Sequence, residues 1–254
     1  LTQKANLRLT ASQTVIRPEL RELSALNIYD FELNASVAGN PSLKRTKITN
    51  TDLRYELYPG AGELFTVGVF YKNFENPIES IFNEGSGGAS LFSFQNVSKA
   101  TAFGFEVEGR KKLTTRFTLQ ANGSYINSKT KDAALNVDRP LQGQSPYLIN
   151  TGLLYDVVEK GFNMTVLFNQ VGKRIYLVGD LQAGAATPDV FENPRALVDF
   201  QISKKFAENK AEIRFTISDI LNQRQIFYQN NNSNSDYSAG SDAIRFSRKF
   251  GTTF

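Results

Sequence analysis

Cysteine, histidine and tryptophan are absent from the 254-residue sequence, and methionine occurs once. Without histidine there is no imidazole for a Ser-His-Asp triad or an H-E-x-x-H zinc site. Without cysteine there is no disulfide, no thiolate nucleophile and no Cys-ligated metal. An enzyme, a cofactor and a resident metal are therefore not expected. No stretch approaches the ~20 consecutive apolar residues of a membrane-crossing helix. Lys and Arg number 29 against 25 Asp and Glu. The tight basic groups, Arg110-Lys111-Lys112, Lys204-Lys205 and Arg248-Lys249, are scattered. Nucleic-acid binders gather such residues on one face, so no nucleic-acid partner is expected. Residue 1 is Leu with no basic-then-apolar leader after it, which suggests a mature protein or a fragment.

What is present is alternation with period two, which sends successive side chains to opposite faces of a strand. In Asp52-Leu53-Arg54-Tyr55-Glu56-Leu57 the odd positions are apolar and the even ones charged. Phe103, Phe105 and Val107 alternate with Glu106 and Glu108, and Ile213, Phe215 and Ile217 with Glu212 and Arg214. Softer versions run through Leu7 to Ile16, Phe65 to Lys72, Phe117 to Tyr125, Tyr147 to Tyr155, Met164 to Asn169 and Val198 to Ser203, with a last candidate from Ile244 to Phe254. Leu148 and Leu154 interrupt the pattern by falling on the polar face. Many of these segments reach the ~9–11 residues that cross a bilayer when tilted. Long polar links (17–47, 74–99, 128–145, 175–195, 223–242) alternate with tight turns at 59–62, 111–115, 158–161 and 207–210. That rhythm predicts an all-β, antiparallel up-and-down transmembrane β-barrel segment. It has about ten strands, long outer loops and short periplasmic turns. A soluble β-sandwich would share the alternation, but its strands average ~5–6 residues and its core would not accept so many charges.

On this reading Asp52, Arg54, Glu56, Glu106, Glu108, Arg110, Glu212 and Arg214 face the lumen. The carboxylate pairs Glu106/Glu108 and Asp52/Glu56 invite a glycosidase reading. Pairing with arginines across the inner wall explains them more simply. Tyr55, Tyr58, Tyr71, Tyr125, Tyr147 and Tyr155 lie near strand ends, where aromatic girdles sit. Arg17 and Arg21 can clamp an anion or join Glu19 and Glu22 in an ion-pair network. In the outer loops, Tyr29, Phe31, Phe92, Phe94, Tyr176, Phe227 and Tyr228 are candidates for stacking on a ligand. Gly85-Ser86-Gly87-Gly88 lacks the Lys-Ser/Thr of a phosphate loop and reads as a loop tip, as does the polar stretch Asn230 to Asp236.

Several segments resemble the barrel of TonB-dependent outer-membrane receptors. They are SQTVIRPELREL from Ser12 to Leu23, Tyr29-Asp30-Phe31, and Gly39-Asn40-Pro41-Ser42-Leu43-Lys44. The likeness continues in DLRYELYPGAGELFTVGVFYKNFENPIE from Asp52 to Glu79, GFEVEGR from Gly104 to Arg110, LQGQSPYLINTGLLYD from Leu141 to Asp156 and DILNQ from Asp219 to Gln223. The resemblance implies that residues 1–254 are the C-terminal part of a barrel of about 22 strands. The earlier strands and the plug domain would be missing from this sequence. It also implies TonB-energised uptake of an iron-siderophore, cobalamin or oligosaccharide. The partners implied are outer-membrane lipid, a small-molecule or glycan ligand, and TonB acting through the absent plug segment. An independent barrel serving as adhesin or structural component, and a soluble β-rich binding module, are the alternatives. The barrel reading predicts outer-membrane fractionation and a gel mobility that changes on boiling in detergent. A chain that stays dissolved without detergent would contradict it.

Overall fold

The computed structural model describes residues 4–31, 35–84, 90–132, 137–179, 187–208, 210–230 and 236–254. The Gly85–Gly88 tip and residues 231–235 of the polar stretch lie outside them. Strand β1 (Ala5–Ile16) leads through a one-turn helix α1 (Leu20–Leu23) to the short β2 (Asn27–Asp30) and β3 (Ala35–Ala38). Two long strands follow, β4 (Thr46–Leu57) and β5 (Leu64–Glu75), then a hairpin of β6 (Ile78–Glu84) and β7 (Ser90–Asn96). Next come β8 (Lys99–Lys112), β9 (Phe117–Asp132), β10 (Val137–Arg139), β11 (Tyr147–Val157) and β12 (Phe162–Val171). The remainder is β13 (Arg174–Gly179), β14 (Val190–Glu192), β15 (Arg195–Phe206), β16 (Ala211–Ile217), β17 (Gln225–Gln229) and β18 (Ala243–Arg248).

Nine long strands form one antiparallel meander in the order β1-β4-β5-β8-β9-β11-β12-β15-β16, with β10 appended to β9. Register carries the alternation from strand to strand. Leu9, Leu53, Val69, Phe105 and Tyr125 stand opposite one another in a continuous row. The adjoining row on the same face is Leu7, Tyr55, Val67 and Val107. On the other face the rows read Arg8, Arg54, Gly68, Glu106 and Asn6, Glu56, Thr66, Glu108, Asn122. Leu7, Leu9, Leu53, Val69 and Phe105 are all exposed. A contiguous apolar sheet face of this extent needs a hydrocarbon partner.

Tight turns close one end of the meander. Gly161, at φ 55° after the single turn Val158–Lys160, shows why glycine is needed there. A Cβ at this position would also come within 2.9 Å of the Lys205 Cβ. The opposite end departs from the expectation of irregular loops. Segments from four of the long links fold into a second sheet, in the order β18-β17-β14-β13-β6-β7-β3-β2. We call it the crown. Two of its joins are parallel and link hairpins from different loops: Val178 with Ile81, and Val37 with Phe92. Its core packs Ala35, Val37, Phe82, Phe92, Leu177, Val190 and Phe227. The tenth candidate strand is corrected accordingly, because Ala243–Arg248 pairs with β17 in the crown. The chain rejoins the main sheet at a bridge between Ser218 and Thr253.

The girdle expectation also needs one correction. Tyr55, Tyr71, Tyr125, Tyr147 and Tyr155 share the apolar face by register. Tyr58 turns to the polar side, where its hydroxyl donates to Glu56 at 2.9 Å.

On the polar face the Phe70 ring lies over Gly104. A Cβ there would stand 2.6 Å from Phe70 Cζ and 2.6 Å from the Tyr125 carbonyl oxygen. Gly104→Val is expected to cost about 1–3 kcal/mol through overpacking. Urea unfolding in detergent micelles measures it, and an unchanged midpoint would contradict the packing.

Candidate functional site

Two regions bring chemistry together: the polar face of the main sheet, and the clamp that fastens the crown to it. The clamp is built on the 137–146 segment. Glu79 is fully buried on β6, and both of its carboxylate oxygens accept from the Arg139 guanidinium, Nη1 lying 2.9 Å from Oε1. Planar fork-to-fork pairing of this kind is strong and directional. Three residues on, the Gln142 amide replaces missing backbone pairing between β6 and β13. Its Oε1 accepts from Ser80 N at 2.7 Å, while Nε2 donates to Ser80 O at 3.1 Å and to Tyr176 O at 2.7 Å. Gly143 takes φ 75° and donates its N–H to Ile175 O at 2.8 Å. Leu141 N donates to Ser128 Oγ on β9, which ties the clamp to the main sheet. Nearby, Asp189 accepts from Gly179 N at 2.8 Å. Burial raises the Asp189 carboxyl pKa, and the Gly179 hydrogen bond only partly opposes that rise.

The polar face carries two clefts. One, of about 240 Å³, is lined by Arg8, Thr10, Asp52, Arg54, Phe70 and Glu106. The other, of about 330 Å³, is lined by Gln120, Asn122, Asn150, Thr165, Asn169 and Asp199. Within it the side-chain amides form a ladder: Asn169 donates to Asn150, and Asn150 donates to Asn122 at 2.8 Å. Each amide in such a chain keeps a donor or acceptor free for a polar guest.

The eight charges expected on the inner wall all fall on this polar face by register. Their pairing follows the expected cross-wall pattern only in part. Glu56 pairs with Arg8 on the neighbouring strand at 3.1 Å, whereas Glu212 pairs with Arg214 two residues along its own strand at 2.9 Å. Among the described residues, Asp52, Arg54, Glu106, Glu108 and Arg110 form no ion pair, so they remain available to solvent or to another surface.

The loop residues separate into two groups. Arg17, directly after β1, is exposed, as are Arg21 and Tyr29 at the β2 edge of the crown, where Tyr29 meets Phe31 edge-on at 5.0 Å. Arg21 pairs with Asp30 at 3.0 Å, and Glu22 accepts from Glu19 N at 2.8 Å, instead of forming one network of 17, 19, 21 and 22. Phe92, Tyr176 and Tyr228 were expected in outer loops; they lie in crown strands. Phe92 is in the crown core, and Tyr176 packs on Phe227 at 4.5 Å between ring centroids. Tyr228 is fully buried. Its hydroxyl has no hydrogen-bond partner among the described residues, and burial pushes its pKa up to about 12. These three rings are taken up by packing, because the crown needs an apolar interior of its own. The clamp residues Glu79, Arg139 and Gln142 were not singled out from sequence. The signal available was Gln142 inside the LQGQ motif.

A two-faced strand meander capped by an outer sheet is an arrangement that can be compared with known proteins. The sequence profile of the outer membrane protein beta-barrel family matches residues 1–254. The chain belongs to that family. The apolar face of this outer-membrane barrel is therefore its lipid face, and the soluble-module alternative is set aside. Among solved structures, its fold matches a mutant ferric enterobactin receptor, PfeA, from Pseudomonas aeruginosa in complex with enterobactin. The TM-score is 0.61 at 16% identity, over 98% of this chain and 37% of that one. The siderophore receptor PirA from the same organism gives 0.59 at 15% identity, over 88% and 37%. The copper transporter OprC gives 0.63 at 15% identity, over 89% and 33%. The barrel thus spans about a third of the length of the solved proteins it matches. Comparison with curated protein sequences finds no match.

Two outcomes are expected of the clamp. Glu79→Gln breaks a buried pair and leaves Arg139 partly uncompensated, which should cost roughly 3–5 kcal/mol of crown stability. Hydrogen exchange at β6 and β7 amides would read this, and unaltered protection would contradict it. Asp189 has a folded-state pKa above its unfolded value, so the folded crown retains a proton that the unfolded chain releases. Its contribution is most favourable below the ordinary carboxylate range and is lost as pH rises through the raised value. Asp189→Asn keeps the acceptor for Gly179 and should flatten that loss. The check is crown exchange followed from about pH 4 to 8.

Proposed function

We propose that residues 1–254 form the C-terminal portion of a TonB-dependent receptor barrel that imports a bulky nutrient of the iron-siderophore, cobalamin or oligosaccharide class. The observation that carries this reading is the pairing of a charged, amide-rich inner face with a folded outer crown. The solved proteins of like fold are named as receptors for ferric enterobactin and siderophores or as a copper transporter. On this reading Asp52, Arg54, Glu56, Glu106, Glu108, Arg110, Glu212 and Arg214 line the lumen. The free charges among them meet a plug domain or a passing ligand across water. Arg17 beyond the end of β1, with Arg21 and Tyr29 exposed at the crown edge, makes the first ligand contacts through guanidinium and ring faces. Selection takes place at crown and plug, and a pull from TonB on the plug opens the path. Every step is binding or displacement, with no covalent chemistry.

Radiolabelled uptake into whole cells tests the proposal, with ferric siderophores, cobalamin and oligosaccharides offered in turn to strains with and without the gene. Deletion is expected to abolish uptake of one class, and so is a protonophore or loss of TonB. Uptake lost on deletion but kept under protonophore and without TonB would leave a passive barrel, and uptake that also survives deletion would leave a structural one.

A further inference from the structure

The polar wall divides into two halves of different chemistry. The cleft of about 240 Å³ on β1, β4, β5 and β8 is lined by Arg8, Asp52, Arg54 and Glu106, whereas no Lys or Arg lines the cleft of about 330 Å³ on β9, β11, β12 and β15. The second cleft is a depression centred on Gly152. Register places Gln120, Gly152, Leu167 and Asp199 in one row. The amide ladder of Asn122, Asn150 and Asn169 is the next row toward the crown. A Cβ at Gly152 would lie 3.1 Å from Leu167 Cδ2 and 3.7 Å from Leu154 Cδ1, so glycine keeps the floor open between two leucine side chains. Leu167 is 47% exposed on this water-facing side.

The free groups around the depression define what fits it. The ladder runs in one direction, with Asn169 donating to Asn150 and Asn150 to Asn122. Among the described residues this leaves Asn169 Oδ1 as a free acceptor at one end and Asn122 Nδ2 as a free donor at the other. Asp199 Oδ1 accepts from Asp219 N at 2.8 Å, and among the described residues no cation pairs with the Asp199 carboxylate. A fitting guest offers both donors and acceptors at its edge and an apolar face to the leucines. The hydroxyls and C–H face of a pyranose ring provide this combination. An anion would meet Asp199 with no ammonium or guanidinium group in the lining to offset it. The site is near the crown, because Asn150 stands three residues along β11 from Tyr147, or about 10 Å.

We propose that this cleft is a wall subsite for a neutral pyranose unit, and that the imported class is therefore oligosaccharide rather than ferric siderophore or cobalamin. Ring hydroxyls bridge Asn122 Nδ2, Asn169 Oδ1 and Asp199 across the depression, while the C–H face rests on Leu154 and Leu167. This rests on the import reading and names the substrate class of the same lumen.

The test titrates the whole detergent-extracted protein calorimetrically with maltohexaose, cellohexaose, mannohexaose and galactohexaose. At least one should bind. The same sugar with its primary hydroxyls oxidised to carboxylates should bind at least tenfold more weakly. N122A/N169A removes both free ends of the ladder and should weaken binding at least fivefold, at roughly twofold to tenfold per hydrogen bond. G152V fills the depression from its floor and should weaken binding more than tenfold. N73A/N127A removes two amides from the lipid face, where register places them, and should bind as the wild type does. A boil-dependent gel shift confirms that each variant is folded. Failure of all four sugars would overturn the proposal, as would equal affinity for the oxidised form, undiminished binding by either cleft variant or an equal loss in N73A/N127A. TonB-dependent uptake of a ferric siderophore or cobalamin, with no hexasaccharide bound, would overturn the subsite and leave the import reading standing. A hexasaccharide bound at the cleft but not taken up through TonB would support the subsite and sink the import reading.

Discussion

Everything in this molecule depends on parity being preserved across strands. In an antiparallel ladder a one-residue slip turns every side chain to the other face. Here five successive strands keep Leu9, Leu53, Val69, Phe105 and Tyr125 on one side, with Arg8, Arg54 and Glu106 on the other. In a bilayer the constraint is stricter than in water, because every main-chain N–H and C=O within the hydrocarbon must be paired inside the protein. The unbroken registers from β1 to β12 satisfy that requirement over most of the sheet. Greasy and ionic faces then follow from the backbone with no further device.

The crown obeys another rule. It stands in water, so it must bury an interior of its own, and it draws that interior from residues far apart in the chain. Phe82, Phe92, Leu177 and Phe227 come from three different links. Backbone pairing alone joins these pieces only briefly, over two residue pairs at each parallel join. Side chains supply the rest: Gln142 at the β6–β13 join, and Asn40, which donates to Phe94 O at 2.9 Å, beside the β3–β7 join. A surface borne on a folded crown is held more rigidly than one on separate loops.

The wall was legible in the sequence because alternation is a local signal and needs no knowledge of a partner. Nine of the ten strand candidates are wall strands, and the eight charged residues share the anticipated face. Leu148 and Leu154 do lie on the polar side, opposite Ser124 and Thr118. The crown was not legible, although Ile78 to Phe82 and Ile226 to Tyr228 carry apolar residues suited to strands. Its strands run only three to seven residues, and their pairing partners lie in other loops. Position in a link suggests stacking roles for Phe92, Tyr176 and Tyr228, and burial in a second core cannot be read from it. The partners of Arg21 and Glu56 escaped for a similar reason, since ion pairs depend on side-chain reach as well as on register.

The parallel joins have a consequence for biogenesis. Val37 meets Phe92, and Ile81 meets Val178, only after separate hairpins have been carried across the bilayer. Each join can close only once both of its hairpins are on the far side, and the Ile81–Val178 join waits for a link about a hundred residues later in the chain than its partner. Assembly of the cap then reports that the wall beneath it is finished.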